Sequence, residues 1–154
     1  MYQRILVPTD GSPVATVAAQ AAIELAKAFG SEIVALSVAQ PEPAVPLAEG
    51  AGLIAGPTPE ALVEEARKHV ERVAHTAARA GVKCTTLTCL GYSPADEIVD
   101  AVKRSGCDLI YIASHGRRGL SRLIAGSVTQ RVLAYAPVPV MVFRPQLAAE
   151  GAGA

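Results

Sequence analysis

The stretch Asp108–Gln130, DLIYIASHGRRGLSRLIAGSVTQ, joins a strand-like run, a glycine-containing basic segment and a returning amphipathic pattern. A strand that leads through a loop into a helix is the repeating unit of α/β folds. A long loop with glycines at this position can gather backbone N–H groups around a phosphate. The alternative is an ordinary strand–helix connection that is basic, and the stretch by itself leaves both open.

The same alternation continues through the rest of the chain. Four apolar runs each precede an amphipathic segment, and a fifth run ends the pattern: RILVP, EIVALSVA, KCTTLTCL, DLIYIA and VPVMVF. We therefore predict an α/β fold, an open five-stranded parallel sheet with helices on both faces. Nearly continuous apolar strands agree with this prediction, because parallel strands are buried on both sides. KCTTLTCL is less apolar and is predicted to be an edge strand.

Local patterns predict where the helices begin and which faces they bury. Ser12-Pro13, Thr58-Pro59 and Ser93-Pro94 each pair an N-cap hydroxyl with a proline, and Ser127 with Gln130 predicts a capping box. Apolar spacing predicts a buried face in the first helix and another in the second: Val14, Val17, Ala18, Ala21, Leu25 and Phe29, then Leu62, Ala66, Val70, Val73 and Ala77. Two histidines of the second helix, His69 and His75, are predicted to lie on the surface.

Length and composition restrict the class of protein. The 154 residues suit one domain, predicted over residues 1–146, with a flexible loop at 40–59 and a disordered tail at 147–154. The loop is rich in proline, glycine and alanine; a lid over a site and a surface loop without a role both remain open. Acids and bases balance at 14 each, which argues against a nucleic-acid partner.

Location and redox chemistry also follow from composition. The longest apolar stretches are strand-sized, so we expect no membrane span and no membrane partner. The opening MYQRILVPTD lacks a signal-peptide pattern, and the cytoplasm is the expected location. Cys84, Cys89 and Cys107 lack CxxC spacing, so they are predicted to be buried small hydrophobic residues. Tyr92 and Tyr111 are predicted to be packing residues rather than base-stacking platforms.

Polar residues that could bind a ligand follow the first and fourth strands. Ligands of open α/β sheets bind outside the carboxyl ends of the strands. Asp10 follows the first strand, where a carboxylate can take a ribose hydroxyl, a base amino group or a phosphate-held metal; a simple Asp-Gly turn is the alternative. After the fourth strand, Gly116 begins a loop that ends in Gly126-Ser127 at a helix start, a position that favours phosphate.

Charged residues of the fourth loop could assist this binding. His115 could orient the loop or touch a phosphate, and Arg117, Arg118 and Arg122 could add positive charge, although exposed arginines are usually only solvated. The loop is neither a Walker A motif nor a dinucleotide-binding fingerprint, and it lacks the phosphate-binding lysine on which phosphoryl transfer depends. A GxSxG nucleophile pattern is also absent from the sequence. We therefore expect a binding protein without dedicated catalysis, and not an enzyme.

Four segments together resemble the universal stress protein family over essentially the whole chain. They are ILVPTDGS at Ile5–Ser12, GYSPADEI at Gly91–Ile98, the SHG-x9-GS pattern at Ser114–Ser127 and APVPVMVFR at Ala136–Arg144. The resemblance implies a Rossmann-like sheet of strand order 3-2-1-4-5, in which the first and fourth strands are neighbours. It also implies a homodimer that pairs through the last strand, here Val138–Phe143.

ATP-binding members of the family carry the motif G-x2-G-x9-G-[ST]. On this chain its second and third glycines are Gly116 and Gly126 and its hydroxyl residue is Ser127, but its first glycine is replaced by Ala113. If this position needs a positive φ, alanine weakens binding by roughly tenfold. If it has ordinary strand dihedrals, only one methyl group must be accommodated.

The resemblance implies an adenine-nucleotide site and a regulatory function. The residues that it assigns to the nucleotide, together with the loop residues discussed above, are Pro8, Thr9, Asp10, Val38, Ile112, Ala113, His115, Gly116, Arg117, Gly126, Ser127 and Val128. The expected ligand is ATP, with Mg²⁺ or Mn²⁺ bridging its phosphates where a metal is present, and any ATP hydrolysis is expected to be slow and incidental. The expected function is that of a dimeric stress-response regulator with an unidentified protein partner. The alternative is a family member whose nucleotide site is empty or weak and which acts through protein–protein interaction.

Overall fold

The computed structural model describes residues 2–41, 45–46, 53–54, 56–115 and 125–145. Its elements in chain order are β1 (Arg4–Pro8), α1 (Pro13–Phe29), β2 (Glu32–Ala39), β3 (Val45–Pro46), β4 (Leu53–Ile54), α2 (Pro59–Ala80), β5 (Cys84–Leu90), α3 (Pro94–Ser105), β6 (Leu109–Ala113), α4 (Ser127–Tyr135) and β7 (Val140–Phe143). The predicted alternation of strands and helices is confirmed.

Five of the strands form one parallel sheet of order β5-β2-β1-β6-β7. Counted along the chain, this is the expected order 3-2-1-4-5, and the less apolar strand β5 lies at an edge as predicted. In the centre, Ile5 of β1 lies opposite Ile33 of β2 on one side and Leu109 of β6 on the other. The short strands β3 and β4 pair with each other in antiparallel fashion within the predicted loop 40–59. Half of that loop, residues 42–44, 47–52 and 55, and the tail 147–154 lie outside the described residues.

Two apolar cores lie on the opposite faces of the sheet. Helices α1 and α2 cover the first core, which contains Ile5 and Val7. Helices α3 and α4 cover the second, which contains Leu6 and Ile110. Consecutive residues of β1 therefore pack into different cores, as the alternation of side chains along a strand requires. Burial on both faces explains why the central strands are apolar throughout.

The predicted buried face of α1 is partly wrong. The residues that this helix buries are mostly alanines: Ala15, Ala18, Ala19, Ala22, Ile23 and Ala26. Val17 and Phe29, which the apolar spacing placed on the buried face, are 51% and 42% exposed. Alanine occupies the contact because a small side chain lets the helix backbone approach the sheet closely. The larger apolar residues then lie at the margins of the contact.

The predicted helix starts hold for α1 and α2 but not in detail for α3 and α4. The hydroxyls of Ser12 and Thr58 accept backbone N–H bonds from the first turns of their helices. Ser93 is the N-cap of α3, but its side chain makes no capping hydrogen bond. The capping box at α4 is wrong, since Gly126 is the N-cap and Ser127 is already helical. The side chain of Gln130 instead donates to the carbonyl of Ala125 across 2.5 Å.

The cysteine and membrane predictions can be compared with the described residues. Cys107 is buried, whereas Cys84 and Cys89 are half-buried, and all three thiols are free. Tyr111 is 8% exposed and packs as predicted, with its ring centroid 6.4 Å from that of Phe143. None of the helices in the described part of the chain is long and apolar enough to cross a membrane.

Candidate functional site

A cleft of about 720 Å³ lies along the carboxyl edge of the sheet. Its floor is formed where β1 lies between β2 and β6, with Thr9, Val38 and Ala113 in the lining. Strands β2 and β5 lie on one side of β1, and strands β6 and β7 lie on the other. The direction in which the chain adds strands therefore reverses at β1. Such a reversal leaves a crevice between the diverging loops, which is where α/β sheets bind ligands.

The structure brings most of the predicted site residues to this cleft. Ten of the twelve lie on its lining: Pro8, Thr9, Asp10, Val38, Ile112, Ala113, His115, Gly126, Ser127 and Val128. Gly116 and Arg117, together with the basic candidates Arg118 and Arg122, lie outside the described residues. Residues that are more than a hundred positions apart in the chain thus share one site.

The turn after β1 is held by a backbone bond to β2 and by two of its own side chains. The Thr9 amide donates to the carbonyl of Leu36 in β2 at 2.8 Å, and the Gly11 amide donates to Thr9 Oγ1 at 3.2 Å. Asp10 Oδ1 accepts the Ser12 amide at 2.9 Å, which is the Asx turn that the simpler interpretation of Asp-Gly predicts. The turn role does not exclude a ligand role, because each carboxylate oxygen accepts more than one hydrogen bond and Asp10 also lines the cleft.

The segment that leaves β6 returns to it at the start of α4. The Gly126 amide donates to the carbonyl of Ser114 at 2.7 Å, and the Thr129 hydroxyl donates to the carbonyl of Ala113 at 2.9 Å. These bonds place the N-terminus of α4 at the cleft, where Gly126, Ser127 and Val128 contribute to the lining. The first turn of a helix carries N–H groups without intrahelical partners and a partial positive charge, so this end of the cleft favours an anion.

Ala113 has ordinary strand geometry. It pairs with Phe143 in the β6–β7 register, and within the described residues positive φ angles occur only at glycines. Its methyl group is buried in the core on the α1 side of the sheet. The strain that a left-handed position would impose on alanine therefore does not arise. Ala113 therefore differs from the glycine of the family motif only by the volume of one methyl group.

His69 was predicted to be a surface residue, and this prediction is wrong. It is 7% exposed, and its Nδ1 lies 3.3 Å from Ser37 Oγ on β2. Its Nε2 lies 3.7 Å from Glu65 Oε1, one helical turn earlier. The sequence did contain a signal, because His69 stands three residues after Ala66 and four before Val73, on the stripe that α2 buries. Ser37 and His69 both line the cleft.

Two further residues of the lining were missed by sequence reasoning. Tyr92, predicted to pack, is 83% exposed at the rim of the cleft after β5. Arg131, one turn into α4, makes two hydrogen bonds of 3.1 Å each to the carboxylate of Asp96 on α3. This pair links two helices that are distant in sequence. Among the described residues, groups of three or more His, Cys, Asp or Glu side chains that could hold a metal are absent.

Comparison with known proteins agrees with the fold. A family model described as the universal stress protein family matches residues 1–144. Universal stress protein MJ0531 of Methanocaldococcus jannaschii is 39% identical over 145 residues, which cover 94% of this chain and 83% of that protein. The class is therefore that of open parallel α/β proteins with a cleft at the strand reversal. Within that class, this chain belongs to the universal stress protein family.

Solved structures share this architecture. The structure of MJ0577, another universal stress protein of Methanocaldococcus jannaschii, is 27% identical with a TM-score of 0.72 and covers 96% of this chain and 99% of its own. A universal stress protein in complex with cAMP is 20% identical with a TM-score of 0.69, covering 94% and 99%. One from Archaeoglobus fulgidus in complex with dAMP is 21% identical with a TM-score of 0.66, covering 92% and 97%. The last two are similar to this chain in fold.

Proposed function

We propose that this chain is an ATP-binding regulatory protein that works as a nucleotide-responsive dimer in the cytoplasm. The observation that carries the proposal is the convergence of ten predicted site residues on one cleft of about 720 Å³. That volume lies in the range of small-molecule sites. One end of the cleft carries the N-terminus of α4, which suits phosphate, and the other end has the mixed apolar and polar lining that suits a nucleoside.

In this proposal the two ends of the cleft bind different parts of the nucleotide. The adenosine would lie near Pro8, Thr9, Asp10 and Val38, and the phosphates near His115, Gly126 and Ser127. Asp10 would accept a ribose hydroxyl or face a metal ion held by the phosphates. A bound Mg²⁺ or Mn²⁺ would neutralise phosphate charge. Support for an adenine nucleotide comes from the two relatives of the same fold whose structures contain cAMP and dAMP.

The proposal assigns the protein a binding role and no dedicated catalysis. Phosphoryl transfer depends on a cation placed at the transferring group, and the chain lacks the P-loop lysine that supplies it. A turnover assay on wild type and Asp10→Ala tests this part. Turnover above a slow background in the wild type, lost in the variant, would make the protein an enzyme.

The dimer is proposed to form through Val138–Phe143. Strand β7 lies at the edge of the sheet, beside β6, and Met141 on it is 40% exposed. An edge strand offers backbone groups for pairing with a second chain. Met141→Lys, in the middle of this strand, is expected to shift the mass measured by light scattering from dimer to monomer. An unchanged dimer would place the interface elsewhere.

The experiment that tests the nucleotide site is calorimetric titration of ATP, with and without Mg²⁺, into nucleotide-stripped protein. Saturable micromolar binding is expected. Asp10→Asn keeps an oxygen acceptor for the Ser12 amide but removes the negative charge, so it separates the turn role from the ligand role. Absence of heat, with an unshifted melting temperature, would favour the second candidate. In that case the Ala113 methyl group leaves the site weak or empty, and the protein acts through a protein partner.

A further inference from the structure

We propose that Tyr92 is the base-stacking residue of the cleft and closes over the purine ring of the bound nucleotide. This inference rests on the proposed function and assigns a role to a side chain at the rim. Tyr92 lies in the segment between β5 and α3 and lines the cleft, yet 83% of it is exposed. An aromatic ring that is open to solvent at the mouth of a binding cleft gains buried area when a flat ligand covers it.

The strand order sets where the base must lie. Along the carboxyl edge the lining residues follow the order β5, β2, β1, β6, so Tyr92 and the N-terminus of α4 lie towards opposite ends. Three strand spacings separate β5 from β6, or about 14 Å. A nucleotide whose phosphates lie at α4 therefore extends its base towards β2 and β5. Apolar groups line the cleft there, among them Val38, Ala39 and Pro94.

The backbone beside Tyr92 is hydrogen-bonded to the end of β2, whereas the ring of Tyr92 is exposed. The Gly91 amide donates to the carbonyl of Ala39 at 2.9 Å, and Gln40 Nε2 donates to the Tyr92 carbonyl at 3.4 Å. A Cβ at Gly91 would approach Glu97 Cγ to 2.7 Å, so the chain passes close against α3. A tyrosine on a fixed backbone has only two side-chain torsions to order, which keeps the entropic cost of stacking low.

Tyr135 provides a matched control. It is also exposed, at 68%, but it lies on α4 outside the cleft lining. The guanidinium of the lining residue Arg131 lies 5.9 Å from its ring centroid, but two hydrogen bonds of 3.1 Å to Asp96 hold that guanidinium independently of the ring. Loss of an exposed tyrosine at this position should leave nucleotide binding unchanged. Comparison of variants at Tyr92 and Tyr135 thus shows whether a loss of nucleotide affinity depends on the position of the ring at the cleft or only on the removal of an exposed aromatic ring.

The first test compares ATP titrations of stripped wild type, Tyr92→Ala, Tyr92→Phe and Tyr135→Ala. Base stacking of the usual strength predicts that Tyr92→Ala weakens ATP binding by about tenfold or more. Tyr92→Phe, which keeps the ring, and Tyr135→Ala should bind as the wild type does. Inorganic tripolyphosphate, which has no base, should bind wild type and Tyr92→Ala equally. Circular dichroism of each variant checks that it is folded.

A spectroscopic test reports on the ring itself. The chain contains no tryptophan, so Tyr92→Trp introduces a single indole reporter. Its emission should be quenched by ATP and unaffected by tripolyphosphate. If the wild type binds ATP but Tyr92→Ala binds it equally and the indole emission does not change, the inference is overturned and the proposed function stands. If the wild type does not bind ATP, both are overturned.

Discussion

The hydroxyl of Thr129 on α4 donates a buried hydrogen bond of 2.9 Å to the backbone carbonyl of Ala113, the last residue of β6. Beside it, the Gly126 amide donates to the carbonyl of Ser114 at 2.7 Å. The two bonds fasten the start of α4 to the end of the strand. These two bonds, and not the chain between Ser114 and Gly126, therefore position the N–H groups of the first turn of α4 at the cleft.

Removal of the Thr129 hydroxyl should loosen this connection. Thr129→Val keeps the shape of the side chain but leaves the Ala113 carbonyl without this buried donor, so the free energy of unfolding should fall by about 1–2 kcal/mol. Urea denaturation measures the change. Thr129→Ser retains the hydroxyl and should lose less stability than the valine variant. Equal stability of Thr129→Val and wild type would show that the bond contributes nothing.

A branched side chain at Gly126 should block the phosphate end of the cleft. Gly126 has a φ of −59°, which any residue can adopt, and a Cβ there would lie 3.4 Å from His115 Cα. Gly126→Val is therefore expected to fold but to weaken ATP binding by at least about tenfold, because the added methyl groups occupy space at the helix N-terminus. Calorimetry measures the affinity, and Ala125→Val is the neighbouring control. Wild-type affinity in Gly126→Val would contradict a phosphate position at α4.

Two glycines with the same backbone conformation should respond differently to alanine. Gly11 and Gly30 have φ angles of +74° and +70°. A Cβ at Gly11 would lie 2.5 Å from ring atoms of His69, whereas a Cβ at Gly30 has nothing within 4 Å. Gly30→Ala should cost about 1–2 kcal/mol of backbone strain, and Gly11→Ala at least about 3 kcal/mol, because steric overlap adds to the strain.

Urea denaturation of the two variants measures this difference, and a second substitution identifies its source. His69→Ala removes the ring that a Cβ at Gly11 would meet, so it should make the Gly11→Ala substitution less costly in a double-mutant cycle. Equal costs at Gly11 and Gly30 would mean that His69 moves aside freely. The contact between α2 and the Asp10 turn would then be loose.

The Cys89 thiol should make stability depend on pH in the alkaline range. Burial, with a smaller contribution from the Glu97 carboxylate, raises the pKa of Cys89 to about 11. In the unfolded chain the thiol ionises near pH 8.5. Its contribution to stability is therefore complete below about pH 8.5 and is lost as the pH rises towards 11. Urea midpoints across this range should fall more steeply for wild type than for Cys89→Ala, and parallel curves would contradict the prediction.

Local patterns predicted the helices and strands because their signals are short in range. Apolar runs mark buried strands, and the Ser-Pro and Thr-Pro pairs mark the first residues of three helices, although the Ser93 hydroxyl makes no capping bond. The predicted start of α4 is wrong by one residue, because both Gly126 and Ser127 are acceptable N-caps; in the structure the Gly126 carbonyl accepts the first intrahelical bond, from the Gln130 amide at 3.0 Å.

Burial of individual side chains was predicted less well, because it depends on distant partners. Val17 is exposed and alanines are buried, since the stripe of α1 that faces the sheet is displaced by about one residue from the stripe that its larger apolar side chains mark. His69 is buried because Ser37, on a strand that is 32 positions away, lies opposite it. Hydrophobic scales rank residues one at a time and contain no information on either contact.

The sequence by itself determined the class of fold, through its periodicity, and, through its resemblance to a family, the strand order and the residues to examine for a site. Only the tertiary structure decided that Ala113 has strand dihedrals, that His69 lies in the wall of the cleft and that Tyr92 stands exposed at its rim. The reason is physical. Hydrophobic periodicity and turn chemistry act over a few residues. A cleft, in contrast, is formed by the ends of strands that come from remote parts of the chain and are brought together by strand pairing.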